Sequence, residues 1–267
     1  MAFLSMGEFM NKKCFFIFLL GILLSHYVSL QENDFIVYEI FVGKVKHLSI
    51  TGYSGTETEL NIPSHINGLP VGIIEEKAFF QRQLTSVIIP DTVIRIFRDA
   101  FLGNNLASVI IPNRVDYIGR FAFAHNQLAD IILPNSLREI KMGAFTGNKL
   151  TTLVIPNRVV IIESLAFAYN HLSNVVIPQS VTKIEDEAFS NNQLTDIVIP
   201  NSVVSIGVGA FKDNQLTTIT IGANVILEQA QKWGTLPFGN GFDEFYLTNG
   251  SKAGTYVFMN GIWSMQE

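Results

Sequence analysis

The sequence predicts a β-rich solenoid: coils of 22 residues stacked along one axis, a parallel sheet on one face, and a cap at each end. Three observations carry that expectation. The dipeptide Ala-Phe recurs at Ala78-Phe79, Ala100-Phe101, Ala122-Phe123, Ala144-Phe145, Ala166-Phe167, Ala188-Phe189 and Ala210-Phe211, every step being 22 residues. A proline follows an aliphatic residue at Pro90, Pro112, Pro134, Pro156, Pro178 and Pro200. A leucine opens each unit at Leu84, Leu106, Leu128, Leu150, Leu172, Leu194 and Leu216. Landmarks that stay in phase without insertion or deletion mark a repeat architecture, in which each unit buries its apolar face against its neighbours.

Taken in chain order, the first element is an address. Lys12-Lys13 precedes the apolar run CFFIFLLGILL (residues 14–24) and Ser25. A short basic stretch before an apolar run of this length reads as a secretory signal peptide, too short to span a bilayer comfortably. Residues 1–30 are assigned to it, with cleavage expected near Ser29 and Met10 as an alternative start; an uncleaved anchor is the competing reading. Cys14 is the only cysteine and precedes the apolar run, whereas a lipid-attachment cysteine would follow it. The exported chain would then hold no disulfide, no reactive thiolate and no cysteine metal site.

Residues 31–59 are expected to form an N-terminal β cap, because FIVYEIFVGKVKHLSITGYSG (residues 35–55) alternates strand-forming stretches with glycine-containing turns. The unit ELNIPSHINGLPVGIIEEKAF (residues 59–79) is irregular: Pro63 lies 15 residues before Ala78, against 10 in later units, so five residues are inserted around Asn67-Gly68-Leu69-Pro70.

Residues 60–222 hold the repeats. From Leu to Pro each unit is rich in β-branched residues, as a strand should be, and proline ends it for want of an N–H. The second half carries Ile96, Ile118, Ile140, Ile162, Ile184 and Ile206 and is too short for a long helix, so a turn, a short strand or a 3₁₀ segment is expected. The Leu, the two alternating aliphatics, the Ile and the Phe should point inward, with the Phe column forming an aromatic spine of edge-on rings. Asn104, Asn126, Asn148, Asn170, Asn192 and Asn214 stand two residues before each Leu, where an amide can satisfy backbone groups as the chain turns into the strand.

Residues 223–267 are read as a C-terminal cap. The segment FGNGFDEFYLTNGSKAGTYVFMNGIWS (residues 238–264) is rich in Gly, Asn and aromatics. Two readings are open for Tyr246, Tyr256 and Trp263: a hairpin whose aromatics close the core, or a carbohydrate site.

The repeats resemble the BspA-like leucine-rich repeat family, the Treponema pallidum-type repeats of bacterial surface proteins. The likeness covers roughly residues 60–222, and LTDIVIPNSVVSIGVGAF (residues 194–211) follows the family pattern almost position for position. The irregular first unit and the C-terminal tail also resemble those of family members. The family often has Cys where these repeats have Asn. The resemblance implies a right-handed leucine-rich-repeat solenoid and roles in adhesion or host interaction.

Composition and charge narrow the function. The chain is 48% apolar and 15% charged, which excludes disorder and a polytopic membrane protein. A formal charge of −5 with no basic cluster beyond Lys12-Lys13 argues against a nucleic-acid partner. His26, His47, His65, His125 and His171 have no metal-ligand spacing, and no nucleophile, phosphate-loop or metal motif occurs. The acidic run at residues 185–187 reads as a solvated turn. The chain is therefore expected not to be an enzyme and to hold no cofactor or metal; a glycan hydrolase would need carboxylates gathered in a pocket.

One column remains unassigned to the core. The strand residue between the two inward aliphatics is Ile88, Ile110, Ile132, Val154, Val176 and Val198, then Thr220. Side chains alternate along a strand, so these six should form an apolar stripe on the outer sheet face. Ser86, Ser108, Asp130, Thr152, Asn174 and Asp196 lie beside it. At about 4.8 Å per coil the stripe would run roughly 25 Å. Burying all six would contribute roughly 6–10 kcal/mol, against an association cost of about 4–15 kcal/mol. The stripe alone supports weak association, and the competing reading is plain β-propensity at exposed positions. The expectation is an exported binding module at the bacterial cell surface, secreted or periplasmic. It would hold a host matrix or cell-surface protein, or another bacterium, by the sheet face, without inserting in a membrane after cleavage. The alternative is a non-adhesive envelope scaffold that self-associates through the same stripe.

Overall fold

The computed structural model describes residues 30–32, 34–229 and 236–266. The signal-peptide segment, with Lys12, Lys13, Cys14 and His26, lies outside the described residues.

The described chain is a solenoid of about eight coils with parallel ladders, as the 22-residue period requires. Two ladders run along it. The first is built from the Leu-to-Pro halves: Glu59–Asn61 pairs with Ser86–Ile88, Thr152–Val154 with Asn174–Val176, and Asp196–Val198 with Thr218–Ile221, all parallel. It thins between these pairs, where Ile88 and Ile110 form a single bridge. The second half of the unit, open between turn, strand and 3₁₀, is a two-residue strand. Leu69–Ile74, Arg95–Ile96 and Tyr117–Ile118 pair in parallel, and Glu139–Ile140 through Ile226–Leu227 continue as a five-stranded run. This ladder reaches one strand past residue 222 because Ile226–Leu227 still pairs with Ser205–Ile206.

A third set of inter-coil bonds runs through the Ala-Phe turn. Lys77, Phe79 and Gln81 donate their N–H groups to the carbonyls of Arg98, Ala100 and Leu102, and the pattern repeats coil after coil. For alternate N–H groups to face the next coil, the residues before Ala and two after Phe take a left-handed backbone. Lys77, Asp99, Phe121, Gly143, Leu165, Glu187 and Gly209 have φ of 54–64°, and Gln81, Gly103, His125, Gly147, Tyr169, Asn191 and Asp213 have φ of 51–70°. Most are not glycine, so each such coil holds strain of about 1–2 kcal/mol per residue in exchange for the ladder.

The inward columns are Leu84, Val87, Ile89, Ile96, Ala100 and Phe101 and their counterparts, all buried. Val93, Val115, Leu137, Val159, Val181 and Val203, in the turn after the proline, form a further buried column. The aromatic spine exists, but its rings are not edge-on. From Phe79 to Phe211 successive rings lie 5.1–5.8 Å apart with planes within 13° of parallel. One rotamer translated by one coil rise must give parallel, offset rings; an edge-on pair would need two alternating rotamers.

Each asparagine reaches further than a local turn. Asn148 Oδ1 accepts from Leu128 N at 3.1 Å, and its Nδ2 donates to Phe123 O at 3.0 Å and Phe145 O at 3.1 Å. Phe123 belongs to the preceding unit and Leu128 opens the unit that Asn148 nearly closes, so the amide staples the end of its coil to the junction with the one before. Asn104, Asn126, Asn170, Asn192 and Asn214 repeat the arrangement.

At the N-terminal end, the antiparallel hairpin of Phe35–Val42 and Val45–Tyr53 covers the first coil, and Phe35 and Tyr53 close the spine at 6.3 and 6.0 Å from Phe79. The inserted residues form a second hairpin, His65–Ile66 with Leu69–Ile74, turned at Asn67 and Gly68 with φ of 50° and 77°, the backbone that Asn-Gly favours in a type I′ turn. At the other end Phe238 extends the stack 5.2 Å beyond Phe211, and Phe242 stops it edge-on at 4.9 Å. The helix Phe242–Thr248 and the hairpin Gly254–Met259/Ile262–Met265 then cover the last coil. Asp243, fully buried in that helix, accepts from the N–H groups of Phe238 (3.1 Å) and Gly239 (3.0 Å). Burial pushes its carboxyl up from the ordinary range, and these two bonds pull against that rise.

Two predictions follow from this packing. Asn148→Ala leaves the Leu128 N–H buried without its partner, while Phe123 O keeps Asn126 Nδ2 and Phe145 O keeps Asn170 Nδ2, and should lower unfolding free energy by roughly 1–3 kcal/mol in urea titration. Glu187→Gly relieves an exposed left-handed residue and should raise it by roughly 0.5–1 kcal/mol, since the strain exceeds the entropy that glycine adds to the unfolded chain.

Candidate protein-binding face

Alternation along the first ladder decides what the outer face carries. Val87, Val109, Ile131, Leu153, Val175 and Ile197 are buried, so the next residue in each coil turns outward. Ile88, Ile110, Ile132, Val154, Val176 and Val198 are all exposed, by 54–85%, with Ile110 and Ile132 at the upper limit. The register sets Val154 beside Val176 and Ile88 beside Ile110, which places neighbouring members of the column side by side. All six predicted residues therefore lie on one face.

The columns beside the stripe are short side chains. Ser86, Ser108, Asp130, Thr152, Asn174 and Asp196 are exposed, as are Thr85, Ala107, Ala129, Thr151, Ser173 and Thr195. Across these three outward columns there is no Lys or Arg, so nothing long or basic screens the aliphatics. The stripe has definite ends. Asn61 lies opposite Ile88, and Thr220 lies opposite both Val198 and Thr255, whose hydroxyl is 2.9 Å away. The C-terminal hairpin adds strands to this sheet at that point.

Charge is concentrated on the second ladder instead. Lys141 Nζ lies 2.8 Å from Glu163 and also pairs with Glu139, while Lys183 lies 3.2 Å from Glu185. Partial burial pulls the Lys141 ammonium down, but its bonds to Glu139 and Glu163 more than offset this and raise it. The acidic run at residues 185–187 is a turn in which Asp186 and Glu187 are exposed and Glu185 is half-buried; Glu185 Oε2 accepts from Ser164 N at 3.3 Å, and Asp186 Oδ1 from Val208 N at 2.8 Å.

Tyr246, Tyr256 and Trp263 are buried rather than displayed. Tyr246 Oη donates to Gly222 O at 2.6 Å, and Trp263 Nε1 donates to Asn240 O at 3.3 Å. Their rings pack on Phe242, so they close the core, and the carbohydrate reading of these three residues fails. Sequence reasoning missed two exposed apolar tips, Phe41 and Val45 on the first hairpin and Met259 and Ile262 on the last. Their signal was an aliphatic or aromatic residue immediately flanking a Gly-containing turn. Among the described residues no group of three or more His, Cys, Asp or Glu is placed to hold a metal ion, and no helix is long and apolar enough to cross a membrane.

A stack of 22-residue coils with leucine, asparagine and phenylalanine in fixed inward columns defines a leucine-rich-repeat protein. The family model described as BspA type leucine rich repeat region matches residues 72–192 and 118–231, in six copies, and the chain belongs to that family. Among solved structures it is similar to a leucine rich cell surface protein from Faecalibacterium prausnitzii A2-165. The two are 30% identical with a TM-score of 0.63, over 78% of this chain and 60% of that one. The chain thus spans about three fifths of the length of that relative. It is also similar to the T. pallidum leucine rich repeat protein, with 28% identity and a TM-score of 0.59, over 71% of this chain and 91% of that one. No curated protein matches it.

If the stripe contributes little to folding, Ile110→Thr and Ile132→Thr should each shift unfolding free energy by less than about 0.5 kcal/mol, measured by urea denaturation.

Proposed function

We propose that this chain is an exported, non-enzymatic binding module that holds a protein partner against the outer face of its first ladder. The partner is a host matrix or cell-surface protein, or a protein on another bacterium. One observation carries the reading: six aliphatic side chains stand exposed along one face, with short side chains and no Lys or Arg in the two outward columns beside them. Across the stripe and the two columns beside it no long charged side chain breaks up the apolar face over six coils. An apolar area of a few hundred Å² is of the size that marks interaction sites. The binding residues are Ile88, Ile110, Ile132, Val154, Val176 and Val198, with hydroxyl, amide and Asp130 and Asp196 carboxylate groups at the border supplying directional contacts. Export is supported by the basic and apolar leader in the sequence and by the cell-surface description of the F. prausnitzii relative.

The same stripe supports a second reading, self-association of an envelope scaffold, because a flat, regular face can meet its own copy. A few hundred Å² on each of two copies totals less than the roughly 1,200 Å² that stable interfaces usually bury over both partners, so either reading needs contacts beyond the stripe, and an external partner supplies them at the borders.

The triple variant Ile132→Thr, Val154→Thr and Val176→Thr separates these readings. Binding to immobilised matrix proteins should fall about tenfold or more, while the melting temperature stays nearly unchanged. Binding that survives the triple change, together with a strict monomer in sedimentation at high concentration, rules out both uses of the face. Concentration-dependent dimerisation lost in the variant selects the scaffold.

A further inference from the structure

Duplication copies outward positions as faithfully as inward ones until something local alters them. On the second ladder the outward positions differ from coil to coil, and three successive coils bring aromatic, basic and acidic side chains together. One outward column reads Arg95, Tyr117, Glu139, and the adjacent ones read Ile94, Asp116, Arg138 and Phe97, Gly119, Lys141. Gly119 makes the difference physical. A Cβ there would lie 2.5 Å from the Arg98 backbone nitrogen, so no side chain fits, and bare backbone separates Phe97 from Lys141. Across these coils lies an open depression of about 510 Å³ lined by Arg95, Phe97, Asp116, Tyr117, Ser136, Arg138, Glu139 and Lys141. That size falls within the roughly 300–1,000 Å³ of small-molecule sites.

The lining has a definite character. The rings of Phe97 and Tyr117 are half-buried, 5.5 Å apart and tilted by 53°, and form one apolar wall. Lys141 is engaged by Glu139 and Glu163, and Arg95 Nε lies 3.5 Å from Asp116. Arg138 is exposed and has no ion-pair partner among the described residues. One uncompensated guanidinium therefore sits beside an aromatic wall, with two carboxylates and a hydroxyl within the same depression. A guanidinium presents a planar fork suited to one carboxylate. The rings suit a flat C–H face, and Asp116 and Glu139 suit hydroxyl donors. An acidic peptide would set several carboxylates against Asp116 and Glu139; a sugar acid brings one carboxylate and many hydroxyls.

We propose that this depression binds a carboxylated sugar, a sialic or uronic acid residue of a glycan, through Arg138 and the Phe97–Tyr117 wall. The site is separate from the apolar stripe, and its occupancy does not depend on the stripe's having a partner.

The test is calorimetric titration of the full chain with sialyllactose, with a glucuronic-acid disaccharide, and with lactose as the neutral control, each to about 10 mM. One of the two acidic sugars should bind, which names the source, and lactose should not. Arg138→Gln and Tyr117→Ala should each weaken binding about tenfold, with Tyr117→Phe and Arg138→Lys as milder variants that keep the fold and retain part of the affinity. The stripe triple variant should bind sugar as the parent does, so failure of one site is distinguishable from failure of the other. No heat with either acidic sugar, equal binding of lactose, indifference to Arg138→Gln, or preference for an acidic peptide over both sugars would overturn the proposal.

Discussion

The structure depends on a buried amide that bonds the coil before its own. Asn192 accepts from Leu172 N and donates to Phe167 O and Phe189 O, so its hydrogen bonds are divided between two coils. A coil that supplies this amide fixes the rise and the rotation of its predecessor. The parallel rings, the short second-ladder strands and the left-handed turn residues follow from that fixed translation, because each inward group meets its own copy one step away. The same constraint sets the ends. A last coil without a successor must be met by something of the same shape, which is why Phe238 continues the ring stack and Phe242 terminates it. Stability in such a stack is a sum of coil and neighbour terms, with no disulfide needed among the described residues.

Much of this was legible in the sequence because the period was undisturbed. The inward columns, the strand before the proline and the outward stripe all follow from landmarks repeated every 22 residues. What escaped did so for physical reasons. The ring orientation is set by rotamer and translation, which residue identity alone does not encode. The cross-coil reach of Asn148 has the same sequence signature as a local turn, since both place an amide beside a bend. The left-handed positions are filled by Lys, Asp, Phe, Leu and Glu as well as Gly, so the usual glycine signal is diluted. Phe238 lies out of phase with Phe211, and only the fold shows that it joins the same stack. The stripe was found from alternation, whereas the depression on the second ladder needed the register of three coils.

The two outer faces divide the work left over from the core. Inward columns are locked by their copies, so change is tolerated only outside. The first ladder keeps one outward column aliphatic through six coils and the columns beside it short, which suits a broad contact with a protein surface. The second varies coil by coil and carries the ion pairs, which suits a small and chemically specific ligand. Under the two proposals the chain binds one partner by area and another by charge.

Placement outside the cell is the condition for that account. The most direct measurement is protease accessibility of the chain on intact cells that express it, followed with an antibody against the repeats. The account predicts that proteinase K removes the repeats while a periplasmic marker survives. Repeats that persist until the envelope is broken would contradict it, because a face enclosed in the periplasm meets no host surface.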